Sequence, residues 1–300
     1  MNIEIAVHQP IIECLPMSLR RYYFTLQKHL EITGILLIPY ADGATTPDGA
    51  DLVWDPFCGW PIGPIWPDDD PVLPKIITFH GTAAFSMPAV DFWGNLESAV
   101  ENEQFVGQRL KHWLSEATNI TTAIVPSAFA RWELAQCIGV PAGRIHVVGH
   151  GVDSGVFEPV GRVEEQIGFL HVSAWQPKKN LLRIIDAYSM LLEETRPQLM
   201  LIVPQLSPSR LPTISGIRII TESQSSSSLA AFYRGALVLV FPSLHETFGM
   251  PVLEAMACGC PVITAKGSAL EEIYAGAALL VDAKNISEIS DAMARIIMGG

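Results

Sequence analysis

"ALVLVFPSLHETFGMPVLEAMACGCPVITA", residues 236–265, reads as one complete strand–loop–helix–strand unit. The run 236–243 is short and apolar, as a strand buried on both faces requires. A loop follows at 244–250. Pro251 fits the first turn of a helix, where its missing N–H has no partner to lose. The helix 251–259 closes on Gly259, and 260–265 is a second apolar strand. Gly249 lets the backbone approach a ligand closely. The loop therefore stands at the carboxyl edge of a sheet, beside the positive end of a helix. Such a place suits a phosphate or a polyhydroxyl sugar.

The same alternation runs outward in both directions. Apolar runs at 3–8, 34–40, 51–56, 75–80, 121–127 and 144–151 read as strands, with helical patterns at 19–34, 95–118 and 127–139. Ser127 is placed to cap the last of these and Gly139 to end it. The segment 155–166 breaks the pattern and reads as a linker. A second series follows, with strands at 167–173, 198–204, 216–221, 236–243, 260–265 and 277–282. Its helices are expected at 179–195, 228–235, 251–259, 268–276 and 285–300, with Ser228 as a cap. This order predicts an α/β chain of two Rossmann-like domains, 1–158 and 159–300, whose parallel sheets face a cleft.

The chain has 300 residues, 49% apolar and 17% charged, enough to bury sizeable cores. A net charge of −12 and a pI near 5.1 argue against a nucleic-acid binder and against binding anionic lipid by charge alone. A mean hydropathy of +0.30 is compatible with weak peripheral membrane contact. Residues 1–158 hold 8 basic against 18 acidic side chains, and the rest hold 11 against 13. The second half is the better host for an anion. Cys14, Cys58, Cys137, Cys258 and Cys260 form no CxxC pair, and an odd count without a framework fits a reducing, cytoplasmic compartment. No signal pattern and no apolar span of about 18 residues is present.

Several residues read two ways. Asp68, Asp69 and Asp70 sit among prolines in the acidic stretch 55–74 and read as a solvated loop rather than a metal site. Trp60, Trp66 and Trp93 are either an acceptor surface or packing. His8, at the end of the first strand, is either packed or part of a site. Glu246 lies in the loop and Glu254 about one turn into the helix. They are an acid/base pair, ligands for sugar and ribose hydroxyls, or charges that complement a helix dipole. Lys179, after Pro177 and before a helix, and His80, ending a buried strand before Gly81, stand where a site is expected.

"HETFGMPVLEAMACGCPVITA" (245–265) resembles the signature of the family 4 retaining glycosyltransferases, which share the GT-B fold of two Rossmann-like domains. The mark is two glutamates with seven residues between them, matched by Glu246 and Glu254. "IITFHG" (76–81), "PSAFARWELAQCIGVPAGRIHVVGHGVD" (126–153) and "FLHVSAWQPKKN" (169–180) resemble further parts of the family, with His150 where Asn is usual.

The resemblance implies a reaction and a set of roles. A hexosyl unit would move from a UDP- or GDP-linked sugar to a hydroxyl of a glycan, lipid or small molecule, with retained configuration and no metal or other cofactor. Glu254 would bind the ribose hydroxyls and Glu246 the transferred sugar. Backbone N–H groups around Thr247, Phe248, Gly249 and Met250 would hold sugar and diphosphate. Lys179 would neutralise the leaving diphosphate, His80 would contact the sugar, and Thr221 would lie near the base. Loops 55–74 and 81–95 would shape the acceptor side. The sequence departs from the family at three points. Residues 8–21 contain no glycine, where a pair is usual. Ala174 stands where an arginine is usual. The chain ends at Gly299-Gly300, where relatives continue with a helix crossing back to the first domain, so that helix is expected to be lacking. These departures keep two alternatives open: an inactive glycosyltransferase-like binding or partner protein, and another GT-B enzyme such as a nucleotide-sugar epimerase.

Overall fold

The computed structural model describes residues 3–10, 15, 17–59, 61–69, 72–163, 166–207 and 211–299. Cys14, Trp60, Asp70 and, within the glycine-free stretch 8–21, residues 11–14 and 16 lie outside these. The backbone forms two compact units. One comprises Met1–Ser86 with Glu101–Gly149, and the other Met87–Val100 with His150–Gly300.

The first unit is built on a parallel sheet of β1 (Ile3–His8), β2 (Ile35–Tyr40), β3 (Leu52–Cys58), β4 (Lys75–Phe79), β5 (Thr122–Val125) and β6 (Ile145–Val147). Their order is β2-β1-β3-β4-β5-β6. The chain's first helix, α1 (Met17–Ile32), precedes β2. Residues 81–95, expected as a loop, contain α2 (Ala83–Ser86) and α3 (Ala89–Trp93), which ends on Gly94 in the left-handed region at φ 89°. The expected single helix 95–118 is two, α4 (Leu96–Glu101) and α5 (Glu103–Glu116). They part at Asn102, at φ −97° and ψ 0°. The polar run Glu101-Asn102-Glu103 offers no apolar side chain to hold a helix through that point. Ser127 caps α6 (Ala128–Glu133) by accepting from the Ala130 N–H at 3.0 Å, and Gly139 ends the following π turn at φ 85°.

The second unit carries β7 (Ile167–Val172), β8 (Leu199–Ile202), β9 (Ile217–Ile220), β10 (Ala236–Phe241), β11 (Val262–Ala265) and β12 (Leu279–Val281), in the order β12-β11-β10-β7-β8-β9. All neighbours pair in parallel. Strand residues alternate between two cores, as a period of two demands. Leu170, Met200, Ile202, Leu239 and Phe241 join one core; Phe169, Leu199, Leu201, Val238 and Val240 join the other. Helices α8 (Ser226–Gly235) and α9 (Met250–Ala257) contribute to the first core, α7 (Leu181–Ser189) and α11 (Ile286–Ile297) to the second. The helix α10 (Ser268–Tyr274) lies between β11 and β12 in sequence.

Two local expectations are corrected. The helix expected over 179–195 starts only at Leu181, because Asn180 stands in the left-handed region at φ 66°, and it stops at Ser189. The cap of α8 is Ser225, not Ser228. Ser225 has extended backbone, and its hydroxyl accepts from the Ser228 N–H at 3.1 Å. In a run of serines the capping residue is the one outside the helix, three before the N–H it satisfies.

Candidate active site

The strand order of the second unit reverses between β7 and β10, and the loops after these two paired strands leave the same edge of the sheet. That is where an open parallel sheet makes room for a ligand. The loop after β7 carries a tight turn, Pro177–Lys179; the loop after β10 carries Glu246. Hydrogen bonds lace the two together. The Leu244 N–H and the Ser243 hydroxyl donate to the Lys178 carbonyl at 2.8 and 2.9 Å. Asn180, buried, donates through Nδ2 to the carbonyls of Pro242 (2.9 Å) and Ala283 (2.6 Å), and its Oδ1 accepts from Arg183 at 2.8 Å. Sequence reasoning missed Asn180. The available signal was an Asn between a strand and a helix, since Asn tolerates the left-handed backbone that the turn needs.

This lacing sets Lys179 Nζ 2.5 Å from Glu246 Oε1, with side chains only 15% and 11% exposed. The ammonium also lies 5.4 Å from the centre of the Phe241 ring. Burial alone pushes the Glu246 carboxyl up. The charges of Lys179 and Lys178, with the hydrogen bond from Lys179 and a smaller effect of the Ser243 hydroxyl, outweigh it and hold the group below its ordinary value. Glu246 is therefore an ionised, paired carboxylate.

His171, at the carboxyl end of β7, is fully buried. Its Nδ1 lies 2.8 Å from the Val240 carbonyl, which requires the proton there, so Nε2 accepts from the Ser173 hydroxyl at 2.8 Å. Burial lowers its pKa to about 4, against smaller opposing effects of the Val240 carbonyl and Glu246. The ring is neutral and stacks on Phe241, centroids 5.9 Å apart. No sequence signal singled it out, because a histidine inside an apolar run reveals neither its partners nor its burial.

The loop into α9 is pinned from several sides. Gly249 adopts φ 92°, and a Cβ on it would stand 2.6 Å from Leu270 Cδ2, so both backbone and space demand glycine. Phe248 is buried, edge-on to His150 and Tyr274, and the Tyr274 hydroxyl donates to the Gly249 carbonyl at 3.3 Å. The Ala269 N–H donates to the Glu246 carbonyl at 3.2 Å. Thr247 and Met250 remain partly exposed. Pro251 occupies the first turn of α9, as expected. Glu254 is 4% exposed and accepts from the Tyr233 hydroxyl at 3.0 Å. Burial and the neighbouring carboxylate keep the Tyr233 pKa well above its ordinary value, so the hydroxyl stays a donor. A buried carboxylate of this kind is not a surface charge set against a helix dipole. Tyr274 links the two glutamates electrostatically: burial, then Glu246 and Glu254, raise its pKa.

Lys179, Glu246, the 247–250 loop and Glu254 thus belong to one end of one sheet. Thr221 stands further out, after the edge strand β9. Its N–H donates to Glu222 at 3.2 Å and its carbonyl accepts from Gln205 at 3.0 Å. Ala174 is exposed and brings no charge to the turn.

In the first unit, His80 directly follows β4. Its Nε2 donates to the Pro56 carbonyl at 2.8 Å, and its ring stands edge-on to Tyr22. Burial lowers its pKa, with the Pro56 carbonyl and the Asp55 charge opposing, so the ring is neutral. His8 is fully buried, with Nε2 2.7 Å from Asp42 Oδ1 and Nδ1 3.5 Å from Asp55 Oδ1. Burial lowers its pKa, but the two carboxylates outweigh this and raise it. Trp66 donates from its indole to Glu116 at 2.8 Å, whereas Trp93 belongs to the second unit and packs edge-on to Phe92. Asp69 closes its loop by accepting from the Thr46 N–H and hydroxyl at 2.8 and 2.7 Å. Among the described residues no group of three or more His, Cys, Asp or Glu side chains could hold a metal ion, and no helix is long and apolar enough to cross a membrane.

Comparison with known proteins bears on the family and the fold. A family model described as Glycosyl transferases group 1 matches residues 166–298, and one described as Glycosyltransferase Family 4 matches residues 19–155. The MMP alpha-(1->4)-mannosyltransferase of Mycolicibacterium hassiacum is 31% identical over 192 residues, 60% of this chain and 46% of that protein. The O-antigen chain mannosyltransferase B of Escherichia coli is 27% identical over 239 residues, 72% of this chain and 59% of that protein. The match thus spans about half the length of these curated relatives. Among solved structures, sucrose-phosphate synthase of Thermosynechococcus elongatus superposes with a TM-score of 0.73 at 17% identity, over 99% of this chain and 90% of that one. Anabaena HepE, in complex with UDP and glucose, gives 0.66 at 16% identity over the same shares. At such identities these two structures support the GT-B fold alone.

Proposed function

Since the chain belongs to the family 4 glycosyltransferases of group 1, we propose that it moves a hexosyl unit from a nucleotide-diphosphate sugar to an acceptor hydroxyl, with retention. One observation carries the reading. Lys179 and Glu246 come from the loops after β7 and β10, where the strand order reverses, and they meet beside the N-terminus of α9. A cation for a diphosphate and an acceptor for sugar hydroxyls stand side by side. The mannosyltransferase names of the relatives support a mannosyl donor, and the acceptor is a hydroxyl of a glycan, lipid or small molecule.

The chemistry follows from those groups. The bond between the anomeric carbon and the phosphate oxygen breaks, and negative charge grows on the diphosphate. Lys179 and the N–H groups entering α9 oppose that charge, which lowers the barrier. Glu246 accepts hydrogen bonds from the sugar and Glu254 from the ribose. The acceptor hydroxyl attacks from the side the phosphate leaves. Its proton passes to the departing phosphate oxygen, so configuration is kept and neither glutamate acts as acid or nucleophile. The positive charge comes from the chain itself, and the reading invokes no metal.

The test is a screen of UDP-, GDP- and ADP-hexoses against glycan, lipid and small-molecule acceptors. Nucleotide release is followed, and the anomeric configuration of product is read by NMR. An α-linked product from an α-linked donor is expected; an inverted product contradicts the mechanism. The exposed Ala174 favours a second reading, a protein that binds the donor without turnover. Binding with no release in any acceptor mixture would support it.

A further inference from the structure

Lys179 and Glu246 satisfy each other, yet the proposed reaction needs each for something else. The pair is mostly buried and charge-assisted at 2.5 Å, and the turn that carries Lys179 is fixed to the Glu246 loop through Lys178 and Asn180. Separating such a pair leaves a poorly hydrated charge on each side unless a ligand replaces both partners. An intact nucleotide sugar does so. Its phosphate oxygens take the place of Glu246 on Lys179, and its sugar hydroxyls take the place of Lys179 on Glu246. A nucleoside diphosphate replaces only one partner. It captures Lys179 and leaves the Glu246 carboxylate facing added negative charge.

We propose that the Lys179–Glu246 pair is an exchange latch that favours the intact sugar donor over the spent nucleoside diphosphate, and that its reclosure after transfer helps expel that product. The inference rests on the assignment of Lys179 to the diphosphate and Glu246 to the sugar. The surroundings fit a two-state exchange. His171 spends its Nδ1 proton on the Val240 carbonyl and its Nε2 lone pair on Ser173, so it offers Glu246 no substitute cation; Lys178 acts on Glu246 by its charge, more weakly than Lys179, which is paired with it at 2.5 Å. The Ala269 N–H bonds the Glu246 carbonyl at 3.2 Å, which ties the backbone and leaves the side chain as the part that exchanges partners.

The experiment titrates UDP, GDP, UDP-glucose and GDP-mannose into the full chain by calorimetry, comparing wild type, Glu246→Gln and Lys179→Met, each checked by thermal melting. Glu246→Gln is expected to bind the preferred nucleoside diphosphate about tenfold tighter than wild type, without a matching gain for the sugar form. The preference for the intact donor then collapses. If Glu246→Gln melts early, Glu246→Ala carries the same expectation. Equal nucleoside diphosphate affinity in wild type and the Glu246 variant, with Lys179→Met weakened toward all ligands, overturns the latch and leaves the site assignment standing. Wild-type affinity in Lys179→Met overturns the site assignment, and the latch with it.

Discussion

The Tyr233 hydroxyl donates to Oε2 of Glu254 at 3.0 Å, and both side chains are buried. The bond ties a carboxylate of α9 to α8 and fixes the direction in which it faces. Tyr233→Phe removes the donor and keeps the ring. The variant is expected to lose about 1–3 kcal/mol of stability, because a buried acceptor loses a partner. Its affinity for nucleotide is expected to fall as well, because Glu254 loses one of the bonds that orient it. Urea denaturation and a nucleotide titration read the two effects; wild-type values in both contradict the role given to Glu254.

Gly249 and Gly139 separate strain from space. Both have positive φ, 92° and 85°, but only at Gly249 would a Cβ meet another side chain, whereas nothing lies within 4 Å at Gly139. Gly139→Ala is expected to cost about 1 kcal/mol, the left-handed penalty alone. Gly249→Ala adds the collision with Leu270 and is expected to cost about 2–4 kcal/mol and to impair transfer. Equal melting temperatures in the two variants contradict this.

The two fully buried histidines give opposite pH dependences. His171 has a folded pKa of about 4, below its unfolded value of about 6.5. The unfolded chain takes up the proton first, so stability falls as pH drops from about 6.5 to about 4, by about 3 kcal/mol in total. His171→Gln is expected to flatten that limb. His8 has a raised folded pKa, so its contribution is complete below the unfolded value and is lost as pH rises through the folded one. Wild type should therefore exceed His8→Gln by more at pH 6 than at pH 9. Denaturation midpoints across pH test both signs.

The cap of α8 gives a purely structural check. Ser225→Ala is expected to cost about 1 kcal/mol, since its hydroxyl satisfies the Ser228 N–H. Ser228→Ala should cost a few tenths of a kcal/mol. Equal costs, measured by thermal unfolding, contradict the assignment of Ser225.

The order of strands and helices was legible because apolar runs of strand length, separated by capped helical patterns, leave few other architectures. Ser127 and Gly139 act as read, and so does Pro251. What failed to show was set by contacts distant in sequence. Asn180 ends a turn only because the carbonyls of Pro242 and Ala283 wait for its amide. His8 looked the same whether packed or functional until Asp42 and Asp55 were placed around it. The break at Asn102 and the choice among serines at 225–228 are local, but differ by less than periodicity can resolve. At the site, the spacing of Glu246 and Glu254 was visible, whereas their separate partners, Lys179 and Tyr233, lie 67 and 21 residues away.

The most direct measurement is sugar transfer by Lys179→Ala and Glu246→Ala, assayed beside wild type with the best donor and acceptor pair and with folding confirmed by circular dichroism. Each variant is expected to keep the fold and to lose at least about a hundredfold in transfer rate. Full activity in both folded variants would contradict this.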